Sequence, residues 1–210
     1  MGTKGKFIVF EGIDGSGKST QMKILSQRLA KRGIKTGLTL EPTYGLVGET
    51  LHNILSGKIK ADPKVTAALF VADRLDHITN RENGVLKCLE SGETVICDRY
   101  YFSSYAYQST EVPAEWVIEA NRLCAETLRP DVTIFIDISP DEAMRRINAN
   151  RETIEIYENK DKLTSVREAY FKAFERMKDS EIIKVINGER TPEEIADEIE
   201  SFVINEIVQG

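Results

Sequence analysis

Residues Gly12-Ile-Asp-Gly-Ser-Gly-Lys-Ser19 fit the pattern G-x-x-x-x-G-K-S/T. They lie between an apolar run, Phe7–Phe10, and a helical pattern from about Lys18 to Arg32, which is the context the motif requires. Glycines let successive backbone N–H groups turn inward around an anion, and the helix N-terminus adds partial positive charge. A glycine-rich turn that merely contains Gly-Lys-Ser is the plain alternative, and the strand before and helix after weigh against it. The loop therefore offers Gly12, Ile13, Asp14, Gly15, Ser16, Gly17, Lys18, Ser19 and the adjoining Thr20 as candidate contacts to a nucleoside triphosphate. Lys18 can reach the β- and γ-phosphates, and the Ser19 hydroxyl can ligate Mg²⁺. The loop does not say what receives the phosphoryl group. No N-K-x-D guanine-reading motif follows, which counts against a GTPase.

Five β-branched apolar runs alternate with helical patterns: Lys6–Phe10, Thr36–Leu40, Thr94–Cys97, Val132–Ile136 and Ile182–Ile186. That alternation predicts an α/β fold: a three-layer P-loop NTPase architecture, with a five-stranded parallel sheet, helices on both faces and a short lid. At 210 residues and roughly 150 per domain, the whole chain is one unit. Asp62-Pro63, Ser139-Pro140 and Thr191-Pro192 start helices, and Glu142 and Glu194 are placed to complete capping boxes in the last two. Ile195, Ile199, Phe202 and Ile207 form a packing stripe. Trp116, Ala120, Leu123 and Thr127 or Leu128 form another, expected to face the core or else a subunit interface. The polar insert Asn148–Lys160 is a candidate lid or a surface loop.

The net charge of −6 argues against a nucleic-acid partner. No run of about 18 apolar residues suggests a membrane span, and no signal-peptide pattern opens the chain. Three cysteines without a CxxC pair argue against a disulfide framework or structural zinc, so a cytoplasmic location is expected.

In an open parallel sheet, strand carboxyl ends face the ligand crevice. Glu41 follows the second strand; Asp98 and Arg99 follow the third, beside the phosphate loop. Asp98 can hold Mg²⁺, and Arg99 can clamp a phosphate with two N–H bonds. Phe70, Asp73, Arg74 and His77 share one helical face. Phe70 and Arg74 could stack on a base and bond its edge, or be a core ring and a solvated charge. Ser103–Gln108 is rich in hydroxyls and rings, suited to a sugar and a pyrimidine edge or simply to a polar helix start.

Taken together, F-E-G-x-D-G-x-G-K-S-T (Phe10 to Thr20), L-F-x-A-D-R (Leu69 to Arg74), D-R-Y-x-x-S-S-x-A-Y-Q (Asp98 to Gln108) and Arg129-Pro130-Asp131 resemble the thymidylate kinase family over nearly the whole chain. The resemblance implies transfer of the ATP γ-phosphoryl to dTMP, with Mg²⁺, by a homodimer. It implies that Phe70 stacks on thymine and that Arg74 and Ser104 bond its edge with Gln108 near. Tyr107 would lie beneath the deoxyribose. Asp14 would approach the 3′-hydroxyl and the acceptor phosphate, and Glu41 would belong to the substrate side. Arg99 would bind that phosphate, and Asp98 with Ser19 would hold the metal.

Family members carry a basic residue either in the variable part of the phosphate loop or in the lid. Here the loop reads Ile-Asp-Gly-Ser, so the resemblance assigns the cation to the lid, with Arg151 first and Arg146 second. The chain departs from the family in reading Glu41-Pro-Thr-Tyr-Gly45 where Glu-Pro-Gly-Gly-Thr is usual. It carries His52 where arginine is common, and it has a short lid.

Overall fold

In a computed structural model, residues 4–150 and 159–208 are described. Among them, five strands form one parallel sheet in the order β2-β3-β1-β4-β5. These are β1 (Phe7–Glu11), β2 (Thr36–Leu40), β3 (Thr94–Asp98), β4 (Val132–Asp137) and β5 (Ile183–Asn187). Every expected strand is present within one residue of its bounds. The central strands β1, β3 and β4 are almost wholly buried, whereas edge strands β2 and β5 are half-exposed. Central strands of a parallel sheet need two apolar faces, which is why they read as unbroken apolar runs.

The helices are α1 (Lys18–Lys31), α2 (Leu46–Leu55), α3 (Pro63–Thr79), α4 (Val85–Glu90), α5 (Tyr101–Tyr107), α6 (Ala114–Thr127), α7 (Pro140–Asn150), α8 (Lys160–Met177) and α9 (Pro192–Phe202). Side-chain alternation along β1 divides the core in two. Phe7 and Val9 join residues of α3 to α8 on one face, and Ile8 and Phe10 join α1 and α9 on the other. The parallel register sets Phe10 and Leu40 level with Asp98. Glu11, Glu41 and Arg99 thus leave the sheet at one edge, beside the loop before α1.

Three expectations need correction. The Ser139 capping box is only half formed. Ser139 Oγ accepts the Glu142 N–H at 3.3 Å, but the Glu142 carboxylate turns to Arg145 and Arg146, and the Ser139 N–H goes to Glu189. Thr191 and Glu194 do form the full box. In the stripe of Trp116, Ala120, Leu123 and Thr127 or Leu128, Trp116 and Leu123 are not core, being 43% and 56% exposed, while Leu128 is buried. The buried face of α6 is Val117, Asn121 and Cys124, the same period rotated by one residue. Finally, residues 148–150 belong to α7 and Lys160 opens α8, because nothing before Asn150 breaks the helix. Residues 151–158, including Arg151, lie outside the described residues.

Glu11 ends β1 fully buried and fixes the start of α5. It accepts from Tyr100 N (2.9 Å), Ser103 N (3.1 Å), Ser103 Oγ (2.6 Å) and Tyr170 OH (2.8 Å). Burial pushes its carboxyl above the ordinary range, against the opposing pull of Arg99 and these donors. Glu11→Ala is expected to cost about 3 kcal/mol in urea unfolding, since it strands several buried donors at once. A loss below about 1 kcal/mol would show that these donors find other partners.

Candidate active site

The loop before α1 owes its shape to its glycines. Gly12 and Gly15 have φ of 148° and 79°, and a Cβ would lie 2.7 Å from the Ile136 carbonyl at Gly12 and 2.9 Å from the Ala143 carbonyl at Gly15. Only glycine tolerates that backbone and that approach. Lys18 is buried at the start of α1, and its Nζ donates to the Gly12 and Ile13 carbonyls at 3.1 and 3.3 Å. Burial, with repulsion from Arg99, holds its ammonium below the ordinary lysine value despite Asp98, Asp14 and Glu11. Ser16 Oγ is buried in the loop without a hydrogen-bond partner among the described residues. A buried cation and an unsatisfied hydroxyl in a ring of backbone are the chemistry of an anion cradle.

Across from the loop, Arg99 follows β3 with φ of 70°, the only non-glycine residue with positive φ among those described. That conformation costs an L-residue about 1 kcal/mol and swings the side chain over the loop. Its Nη2 donates to Asp14 Oδ1 at 2.5 Å, and its Nη1 donates to Ser103 Oγ (3.0 Å) and the Gly12 carbonyl (3.2 Å). The guanidinium lies 4.9 Å from the Tyr107 ring centroid, and Tyr107 OH donates to Asp14 Oδ2 at 3.1 Å. Burial would push the Asp14 carboxyl up, but the charges of Arg99 and Lys18 outweigh it and hold Asp14 below the ordinary range. Burial pushes the Tyr107 phenol up, so it stays a neutral donor.

Ser19 Oγ donates to Asp98 Oδ2 at 3.1 Å, and Asp98 Oδ1 is buried without a hydrogen-bond partner among the described residues. A hydroxyl and a half-satisfied carboxylate are hard oxygen donors that fit Mg²⁺. Among the described residues no cluster of three or more His, Cys, Asp or Glu is placed to bind a metal, so phosphate oxygens would have to complete the shell.

The helical face of Phe70 and Arg74 is not a core ring and a solvated charge. Arg74 is 1% exposed, with Nε donating to Glu41 Oε2 (2.7 Å), Nη2 to the Tyr100 carbonyl (3.1 Å), and Nη1 to Ser104 Oγ (3.1 Å) and Asn121 Oδ1. Four of its five N–H bonds are committed to the protein, and its edge faces a cavity of about 520 Å³. Phe70, Glu41, Tyr107 and Gln108 line that cavity, whereas Ser104 stands behind Arg74.

A second cavity, of about 600 Å³, is lined by residues 14–21 of the loop and α1, by Arg146 and by Arg190 and Pro192 before and in α9. Arg146 Nη2 donates to the Gly188 carbonyl at 2.8 Å. Gly12 and Ile13 do not line this cavity: their carbonyls hold Lys18, and the Ile13 side chain is core. The two cavities meet at Asp14, Asp98 and Arg99, which line both.

Several lining residues carried no sequence signal. Asn53 and Lys58 come from α2 and its C-terminal flank, a segment without a motif, whereas Tyr44 and His52, at positions where the chain departs from the family, line the same cavity. Arg190 is marked only by its place before a helix start.

The profile of the thymidylate kinase family matches residues 10–199. A probable thymidylate kinase of Thermococcus gammatolerans is 35% identical, covering 98% of this chain and 99% of its own. A thymidylate kinase of Leptospira borgpetersenii is 38% identical over 95% and 94%, and a probable one of Methanocaldococcus jannaschii 36% over 95% and 96%.

Proposed function

The chain belongs to the thymidylate kinase family, and from that premise we propose that it transfers the ATP γ-phosphoryl to the 5′-phosphate of dTMP, giving ADP and dTDP. The observation that carries this is the pair of cavities meeting at Asp14, Asp98 and Arg99. A donor nucleotide held by the loop would point its phosphates at an acceptor lying between Phe70 and Tyr107.

The acceptor is a phosphate oxygen, already ionised, so no strong base is needed. Catalysis then rests on positioning and on spreading the charge of the transferring group. Lys18 faces the donor phosphates, and Arg99 faces the acceptor. Arg146 stands at the wall of the donor cavity. Arg151, beyond the end of α7, is assigned as the lid cation in the transition state. Ser19 and Asp98 would hold Mg²⁺, which when bound supplies charge neutralisation on the phosphate oxygens. Arg74 can only donate, so it favours a base with a carbonyl at its edge and disfavours an amino group.

The test is a panel of dTMP, dUMP, dCMP, AMP, GMP and thymidine with Mg²⁺-ATP, read by ADP release. Highest kcat/KM with dTMP is expected. Release driven by thymidine, or release independent of any acceptor, would overturn the proposal.

The proposed product is one transfer short of dTTP, so the reaction would be a step of deoxynucleotide synthesis; a cytoplasmic location belongs to the same proposal and is supported by three cysteines without a CxxC pair. No described helix is long and apolar enough to cross a membrane. Exposed Trp116 and Leu123 on α6, with Val65 on neighbouring α3, support a homodimer through these helices.

A further inference from the structure

One buried side chain braces the acceptor cavity without touching it. His77 lies on α3 one turn beyond Arg74, and its Nδ1 is 2.9 Å from Glu41 Oε1 and its Nε2 2.7 Å from Thr39 Oγ1. The other Glu41 oxygen takes Arg74 Nε at 2.7 Å. A neutral imidazole satisfies both contacts: Nδ1–H donates to Glu41, and Nε2 accepts from the Thr39 hydroxyl. Thr39, His77, Glu41 and Arg74 thus form one chain of bonds from β2 to the cavity wall.

Glu41 Oε1 has no other hydrogen-bond partner among the described residues. Without His77 the carboxylate could turn about its last torsion, and Arg74 would lose a fixed anchor. Asp73, on the same helix, ties down the segment that follows Glu41, accepting from Thr43 N (2.8 Å) and Thr43 Oγ1 (2.6 Å). Glu41 and Arg74 line the acceptor cavity and not the donor cavity, and His77 lines neither.

We propose that His77 is a positioning residue for acceptor recognition: by holding Glu41 it aims the Arg74 guanidinium at the nucleobase edge. The inference rests on the pyrimidine-nucleotide acceptor argued above. Its energetic reach is one bond to a charged group, enough for about a tenfold effect, and that effect falls on one substrate only.

His77→Leu is expected to raise KM for dTMP about tenfold, lower the dTMP-over-dCMP preference by a similar factor, and leave KM for ATP unchanged. His77→Asn, which keeps a donor near the Nδ1 position, is expected to restore most of the loss. His77→Gln, which reaches toward Thr39 instead, is not. Equal rises in both KM values, or an unchanged dTMP KM in His77→Leu, would overturn the proposal. If His77→Leu does not fold, the Asn and Gln variants carry the comparison, and equal behaviour of the two overturns it. Should the wild-type protein not use dTMP, the functional proposal fails separately. A crystal structure of His77→Leu then decides the positioning role: Arg74 displaced from the Tyr100 carbonyl supports it, and Arg74 in place overturns it.

Discussion

Lys18→Ala is expected to lower kcat with dTMP by about a thousandfold, the scale for removing a preorganised charge from a developing anion. Lys18 is the buried cation of the phosphate loop, held by the Gly12 and Ile13 carbonyls. In that place it bears a desolvation cost in the free protein, visible as an ammonium held below its ordinary value by burial. The cost is recovered only when a polyanion enters the loop, and most of all when charge accumulates during transfer. Lys18→Met keeps most of the side-chain volume and removes the desolvated charge. It is expected to be at least as stable as the wild type in thermal unfolding while losing activity to the same extent, because an ammonium held below its ordinary value is a charge that the free fold disfavours. Steady-state turnover and melting curves on the two variants check both halves. Wild-type turnover in either variant would remove Lys18 from the chemistry.

Local features of this chain were legible, and long-range ones were not. The phosphate loop and the five strands rest on short-range pattern: glycine spacing, apolar runs and helix starts at proline. Asp98 and Arg99 were reachable because a strand end in a parallel sheet has a known neighbourhood. Arg74 was ambiguous because its counter-charge, Glu41, is 33 residues away on another element. The stripe on α6 was misplaced for the same reason. Asn121 is a polar residue in the centre of the buried face, where it accepts from Arg74, and that interrupts the apolar period that would have marked the face. The Ser139 box failed because Glu142 has two arginines within one helical turn, which draw its carboxylate down to a pKa of about 2. Propensity identifies a capping sequence but not the competitor beside it. His77 shows in the sequence only as a position on a helical face and Glu11 only as one letter of the F-E-G motif, since each acts through partners that only the fold brings together.

Arg99→Ala is expected to lower kcat/KM for dTMP by about three orders of magnitude. Two effects combine. The guanidinium is lost from the junction of the two cavities, where a transferring phosphoryl group would sit. Asp14 is also left facing an incoming dianion without its main counter-charge, since Arg99 Nη2 binds its Oδ1 at 2.5 Å. Arg99→Lys restores the charge but not the fork, because a single nitrogen cannot stand both where Nη2 meets Asp14 and where Nη1 meets Ser103 and the Gly12 carbonyl. It is therefore expected to recover only part of the loss. Removing the carboxylate as well separates the two effects: Asp14→Asn in the Arg99→Ala background should regain activity if repulsion contributes. Coupling between neighbours that share a contact is the normal expectation. The positive φ at Arg99 adds a control, since glycine adopts that backbone freely. Arg99→Gly should be as inactive as Arg99→Ala but somewhat more stable, by about 1 kcal/mol in chemical unfolding. An Arg99→Ala protein that still turned over dTMP at the wild-type rate would show that the acceptor phosphate lies elsewhere, and the two-cavity account of transfer would fall with it.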